Sequence, residues 1–147
     1  MGASRAKEEL PHMETIQKIE DTTFRVKRQN GEDEYEGFVV TTDKQVIKIG
    51  VDNYGQCCEN WGHFASADNL DNFIGAKLST IAIADGELES GLIAKRVEGG
   101  IYEGGIMHVN LDTDRGILQF TAYNAHNGYY GHEGIVLSEQ LNHTCTL

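Results

Sequence analysis

The chain has 147 residues, enough for one domain with a substantial core, and carries 23 acidic against 12 basic residues for a formal charge of -11. That balance argues against binding DNA or RNA polymers, which leans on many Lys and Arg contacts with phosphates, but not against a small anion held by one or two arginines in a desolvated pocket. No run of about 18 apolar residues and no signal-peptide core is present, so no membrane-spanning helix is predicted and a cytoplasmic location is the default expectation.

Met1 to His12 reads as an expression leader, ending in Pro11-His12-Met13 like a cloning scar before a native start at Met13; the fold is then expected to be a single domain over 13–147. From Met13 on, Ile16 and Ile19 precede the alternating run Thr22 to Lys27, a predicted strand. Asn30-Gly31 predicts a turn, and Glu32 to Glu36 an acidic, solvated connection. Gly37 to Thr42 and Gln45 to Val51 are β-branched and strand-like, joined at Asp43-Lys44 as a hairpin.

Asp52 to Phe64 shows no regular periodicity and holds the only tryptophan, Trp61, whose bland reading is a core plug. Ser66 is a candidate N-cap, with Asp68 and Asp71 in the first turn, Leu70, Phe73 and Ile74 as the buried stripe and Gly75 as the stop. This predicts one short helix over about Ala67–Ile74. Lys77 to Ala84 alternates as a strand, while Asp85 to Gly105 reads as a mobile excursion or loose hairpin. Ile106 to Leu111 is a strand, Asp112 to Gly116 a turn, Gly134 to Leu137 a strand and Asn142 to Leu147 a tail. About seven strands and one helix give an α+β fold dominated by antiparallel sheet.

The chemically densest stretch is Gly116 to His132. It starts with the half-buried pattern of a strand and then places Asn124, His126, Asn127, Tyr129, Tyr130 and His132 within nine residues, punctuated by Gly128 and Gly131. Such a loop offers π faces, amide groups and close backbone approach to a guest. Asn127-Gly128 alone would be an ordinary hairpin turn.

No GxSxG, HExxH or P-loop occurs, so no catalytic set is predicted. Cys57, Cys58 and Cys145 form no disulfide framework; a site of Cys57, Cys58 and His63, or a trio of His108, His126 and His132, is weaker than the structural readings, and neither metal nor cofactor is expected. From Met13 on the chain has four arginines: Arg25, Arg28, Arg96 and Arg115. Arg115, in a turn beside the dense stretch, is either an exposed turn charge or a guanidinium fork for a phosphate; Arg96, with Lys95, is the other basic spot.

Gln56-Cys57-Cys58-Glu59-Asn60-Trp61-Gly62, Phe73-Ile74-Gly75-Ala76-Lys77-Leu78, Asn110 to Gly116, Leu118-Gln119-Phe120 and Tyr123 to His132 occur in that order. In these segments, spanning about Val46 to Leu137, the chain resembles the phage-encoded Thoeris anti-defence family, first type. The resemblance implies a signal sponge in the host cytoplasm that binds cyclic ADP-ribose isomers and sequesters them without cleavage. Some members also hold cyclic oligonucleotides, and pockets between protomers imply a homodimer or a larger assembly of dimers.

Chemistry within the matching motifs then selects the candidate ligand-binding residues. Trp61, Tyr129 and Tyr130 offer faces for the base, and Asn60, Asn124 and Asn127 hydrogen-bond the riboses. Arg96 and Arg115 suit the diphosphate, while His126 and His132 donate hydrogen bonds or cap the loop. Two alternatives stand beside this expectation: a hydrolase of the same ligands with His126 or His132 as base, and a protein inhibitor whose acidic surface mimics nucleic acid, a contact that high salt would abolish.

Overall fold

A computed structural model describes residues 4–54, 60–88, 91–97, 105–125 and 131–147, with side chains from residue 6. Among the described residues the chain forms nine strands: β1 (Ser4–Arg28), β2 (Gly31–Thr42), β3 (Val46–Asp52), β4 (Trp61–Ala65), β5 (Lys77–Ala84), β6 (Gly105–Thr113), β7 (Gly116–Asn124), β8 (Glu133–Leu137) and β9 (Asn142–Thr146). They pair antiparallel throughout, in the order β4-β7-β6-β5-β1-β2-β3-β8-β9.

The long strand β1 makes this sheet into two packed halves. Its first part pairs with β5 as far as Thr15↔Lys77, and its second with β2 from Ile16↔Thr42 to Arg28↔Gly31. Register breaks between Glu9 and Glu14 and between Ile16 and Lys18 mark the change of partner, where a bulged strand bends. The halves meet through Phe38 on β2, whose ring lies 4.5 Å from that of Phe120 on β7. Around this contact, Val40, Ile47, Ile49, Val51 and Val136 of one half share a core with Ile81, Ile83, Met107, Val109, Leu111 and Leu118 of the other. A second cluster of Phe24, Tyr35 and Ile135 covers the outer face of β1, β2 and β8. Gly37 and Gly50 pair across β2 and β3; a Cβ on Gly37 would meet Ile49 O at 2.0 Å, so this crossing excludes any side chain there.

Antiparallel sheet dominates the fold, as expected, and the class is mainly β rather than α+β. The predicted helix at Ala67–Ile74 is a single 3-10 turn, Leu70–Phe73, capped by Asn69, whose side chain accepts from Asp71 N at 3.0 Å. Ser66 does not cap it. Its N–H and hydroxyl instead engage Gln119 O and Gln119 N, extending the β4–β7 ladder and leaving too few residues before Gly75 for a helix. Leu70, Phe73 and Ile74 still pack against the core, but only half-buried.

Other departures have similar causes. Glu32 to Glu36, expected as a solvated connection, belongs to β2, because Glu34 faces Arg25 and Glu32 faces Lys27 across the ladder while Tyr35, on the other face, is buried. The tail is strand β9. Within Met1 to His12, read as a leader outside the fold, Ser4 and Ala6 to Glu9 pair with β5, and Leu10 joins the core.

The Asp85 to Gly105 excursion, where described, is not a loose hairpin. It forms the short helix α1 (Leu92–Arg96), with Leu92 and Val97 buried, and the Gln119 amide clasps Gly86 O at 3.0 Å and Leu88 N at 2.8 Å. Among the described residues no helix is long and apolar enough to cross a membrane.

Candidate functional site

Trp61 opens β4 and Asn124 closes β7, and the register pairs them. One residue further out, Ala125 N donates to Asn60 O at 2.7 Å. The ladder therefore brings together the chain ends that border segments 55–59 and 126–130. On this platform the Trp61 and His132 rings stack, with centroids 4.8 Å apart and planes at 29°.

His132 is held from three sides. Its backbone exchanges hydrogen bonds with Leu147, N to O at 3.3 Å and O from N at 2.7 Å. Its Nδ1 faces two oxygens of Asp52, the carboxylate Oδ1 at 2.6 Å and the carbonyl at 3.1 Å. Both oxygens can only accept, so Nδ1 carries the proton and donates. The other carboxylate oxygen of Asp52 accepts from Glu133 N at 2.8 Å. Asp52 ends β3, just before segment 55–59, and His132 follows segment 126–130; one carboxylate thus ties the fixed ends of both.

The outer face adds a second set of ties. The Tyr35 hydroxyl receives from Arg28 Nη2 at 2.6 Å and donates to Glu133 Oε1 at 2.5 Å, and Arg28 reaches the same oxygen at 2.9 Å. Burial first, and then the Glu133 carboxylate, push the Tyr35 phenol well above its ordinary range. The bond that Arg28 donates to Tyr35 is the largest cause holding its guanidinium more firmly charged. Asn53 donates to Glu34 at 2.7 Å and Tyr54 to Asp33 at 2.9 Å, so the chain approaching residue 55 is tied to the β1–β2 hairpin. The bond to Asp33 raises the Tyr54 pKa.

Of the residues expected to bind a ligand, the structure brings together Asn60, Trp61, Asn124 and His132. Asn60 is exposed and Trp61 half-buried, whereas Asn124 and His132 are buried, and Asn124 Nδ2 donates to Leu147 O at 3.3 Å. These two form the floor of the platform rather than its open surface. His126, Asn127, Tyr129 and Tyr130 lie outside the described residues.

Arg96 and Arg115 are not part of the platform. Arg96 on α1 pairs with Asp68 at 2.5 Å. Arg115 donates through Nη1 to Asn72 O at 3.0 Å and Ile74 O at 2.7 Å, closing the carbonyl end of the 3-10 turn. It stands at the opposite end of β7 from Asn124, roughly 30 Å away along an extended strand. Asp52 was not singled out from sequence: an aspartate at a strand end is an ordinary turn former, and its partner lies 80 residues away.

A separate charged group sits beside β4. His63 is edge-on to Phe38 at 5.2 Å, and its Nε2 lies 2.7 Å from Asp21 Oδ1. Glu36 Oε2 stands 2.8 Å from Nδ1 without hydrogen-bond alignment. Burial and then the Glu36 charge raise the pKa of Tyr123 on the neighbouring strand. Among the described residues no cluster of His, Cys, Asp and Glu is arranged to hold a metal ion; His108, one of the expected trio, is buried and bonded to Thr121 Oγ1 at 2.8 Å.

No curated protein and no solved structure matches the chain significantly. A family model described as a domain of unknown function, DUF7448, matches residues 12–136, and the chain belongs to that family.

Proposed function

We propose that the protein is a non-catalytic sponge that binds cyclic ADP-ribose-type immune signals and holds them intact, inhibiting bacterial anti-phage defence. The observation that carries this reading is the Trp61–His132 stack, whose histidine follows in sequence on the aromatic and amide run His126 to Tyr130. A flat indole on a fixed floor suits a purine, and the Asn-rich borders suit ribose hydroxyls. Tight sequestration favours a site formed before the ligand arrives, which the Asp52, Leu147 and Glu133 ties provide.

Arg96 is engaged with Asp68 and Arg115 with the carbonyls of the 3-10 turn, so neither is assigned to the diphosphate. The cation within reach of the platform's border is Arg28, which bonds Glu133 beside His132. A pocket shared between two copies, as the sequence resemblance implies, remains part of the proposal. Cyclic oligonucleotides are the second ligand class to test.

One observation favours a hydrolase instead. A carboxylate orienting an imidazole, as Asp52 orients His132, is how many general bases are arranged. Against it, the His132 side chain is only 1% exposed.

Calorimetry with a panel of cyclic ADP-ribose isomers and cyclic oligonucleotides, followed by heat release of the bound ligand, separates the two readings. The sponge returns the cyclic molecule; recovery of linear ADP-ribose establishes the hydrolase. No heat from any member of the panel overturns both.

A further inference from the structure

We infer that Asp52 is the positioning residue of this site: its carboxylate sets His132 as the Nδ1–H form beneath Trp61 and ties the 131–133 stretch to the end of β3. The inference rests on the sponge reading for the ligand's identity. Its physical content comes from the geometry of one side chain.

Asp52 uses both carboxylate oxygens on different parts of the 131–133 stretch. Oδ1 accepts from the His132 ring at 2.6 Å and Oδ2 from Glu133 N at 2.8 Å. The ring and backbone of one short stretch are thereby fixed to the end of β3. With the Asp52 carbonyl also 3.1 Å from Nδ1, reversing the ring's tautomer would turn a lone pair toward two acceptors. The side chains concerned are 1% and 14% exposed, so water is a poor substitute for either partner. His132 in turn supports the indole face. Freeing the carboxylate contact would leave Trp61 on an imidazole able to turn, and the ring would have to be fixed at the moment of binding.

An asparagine at position 52 is the discriminating change. It keeps the shape and one accepting oxygen, but its amide nitrogen cannot accept from the second donor. The result expected is about a tenfold or greater loss of affinity for a cyclic ADP-ribose isomer in D52N, the scale of losing a charge-assisted hydrogen bond. Trp61 is the sole tryptophan, so its emission reports both the stack and the titration.

Asp43→Asn serves as the comparison for general loosening, because Asp43 Oδ1 also clamps a backbone N–H, that of Thr15 at 2.9 Å, at a turn remote from Trp61. D43N should keep its affinity within about twofold. Nitrogen-15 spectra of the imidazoles give a readout that mere destabilisation does not move. Wild-type His132 should show a protonated Nδ1, and D52N a shift toward the other tautomer.

Equal affinity in wild type and D52N overturns the inference, as does an equal loss in D52N and D43N. A wild-type His132 protonated on Nε2 alone overturns it even if D52N does not fold. No response of wild-type Trp61 or calorimetry to any cyclic isomer overturns the sponge reading instead, and the imidazole spectra then still decide whether Asp52 sets His132.

Discussion

The Tyr35 hydroxyl on β2 donates to Glu133 Oε1 on β8 at 2.5 Å, joining residues 98 positions apart on the outer face of the sheet. Tyr35 is 1% exposed, so its hydroxyl has no ready water to replace the pair. Tyr35→Phe should lower stability by about 1–2 kcal/mol at neutral pH, measured by urea unfolding.

The same bond predicts a pH dependence. Burial and Glu133 raise the phenol's pKa in the folded state, so the folded protein disfavours the phenolate relative to the unfolded chain. The stability this contributes is complete below the unfolded value of about 10 and is lost as pH rises beyond it. Unfolding curves between about pH 9 and pH 11 should therefore fall less steeply in Y35F than in the wild type. Tyr123 and Tyr54 shift in the same direction, so the variant keeps part of the slope.

What was legible in the sequence follows from which contacts are local. Thr22 to Lys27, Gly37 to Thr42, Val46 to Val51 and Lys77 to Ala84 announce themselves because apolar residues there serve a buried face, and Asn30-Gly31 marks its turn with Gly31 at φ 133°. Glu32 to Glu36 was missed because its charges are balanced only once the register sets Glu34 opposite Arg25. Strand β9 was missed because its residues alternate between exposed and half-buried, without an apolar face to read. At the site, stacking capacity in Trp61 was visible, but the 80-residue separation hid Asp52 from any spacing argument.

Arg115 offers a test of a structural against a ligand-binding role. Its guanidinium bonds to Asn72 O and Ile74 O, and its Nη2 would lie 3.1 Å from a Cβ placed on Gly75, itself at φ 90°. Arg115→Ala should lower stability by about 0.5–1.5 kcal/mol while leaving the affinity for cyclic ADP-ribose isomers unchanged. A large affinity loss with an unchanged unfolding midpoint would show the guanidinium working on ligand rather than on the turn.

Glu14 is a carboxylate 2% exposed whose hydrogen-bonding donors are neutral: Thr42 Oγ1 at 2.8 Å and Gln45 Nε2 at 3.0 and 3.1 Å from its two oxygens. Gln45 also reaches Gln140 and accepts from Glu139 N, so the network joins the β2–β3 and β8–β9 turns. Glu14→Ala should cost about 1–3 kcal/mol, because it leaves buried donors without their acceptor. Denaturant unfolding at neutral pH checks this, and an unchanged midpoint would mean that water takes over the carboxylate's bonds.

Gln119 holds residues 86–88 against β7 from beneath, with its amide oxygen on Leu88 N and its amide nitrogen on Gly86 O and Asn110 Oδ1. Glu87 then organises the next turn, accepting from Gly91 N and Ile93 N at 2.8 Å each. Gln119→Ala removes the first fastening and leaves the second, together with buried Leu92 and Val97. Local opening is cheaper than global unfolding where few long-range bonds hold a segment. Hydrogen exchange should therefore accelerate at Leu88 and Ile93 in Q119A, while the amides of β6 and the rest of β7 keep their protection. Equal acceleration across β6, β7 and α1 would mean that Gln119 supports the whole half-sheet; no acceleration at Leu88 would mean that Leu92 and Val97 alone hold the segment down.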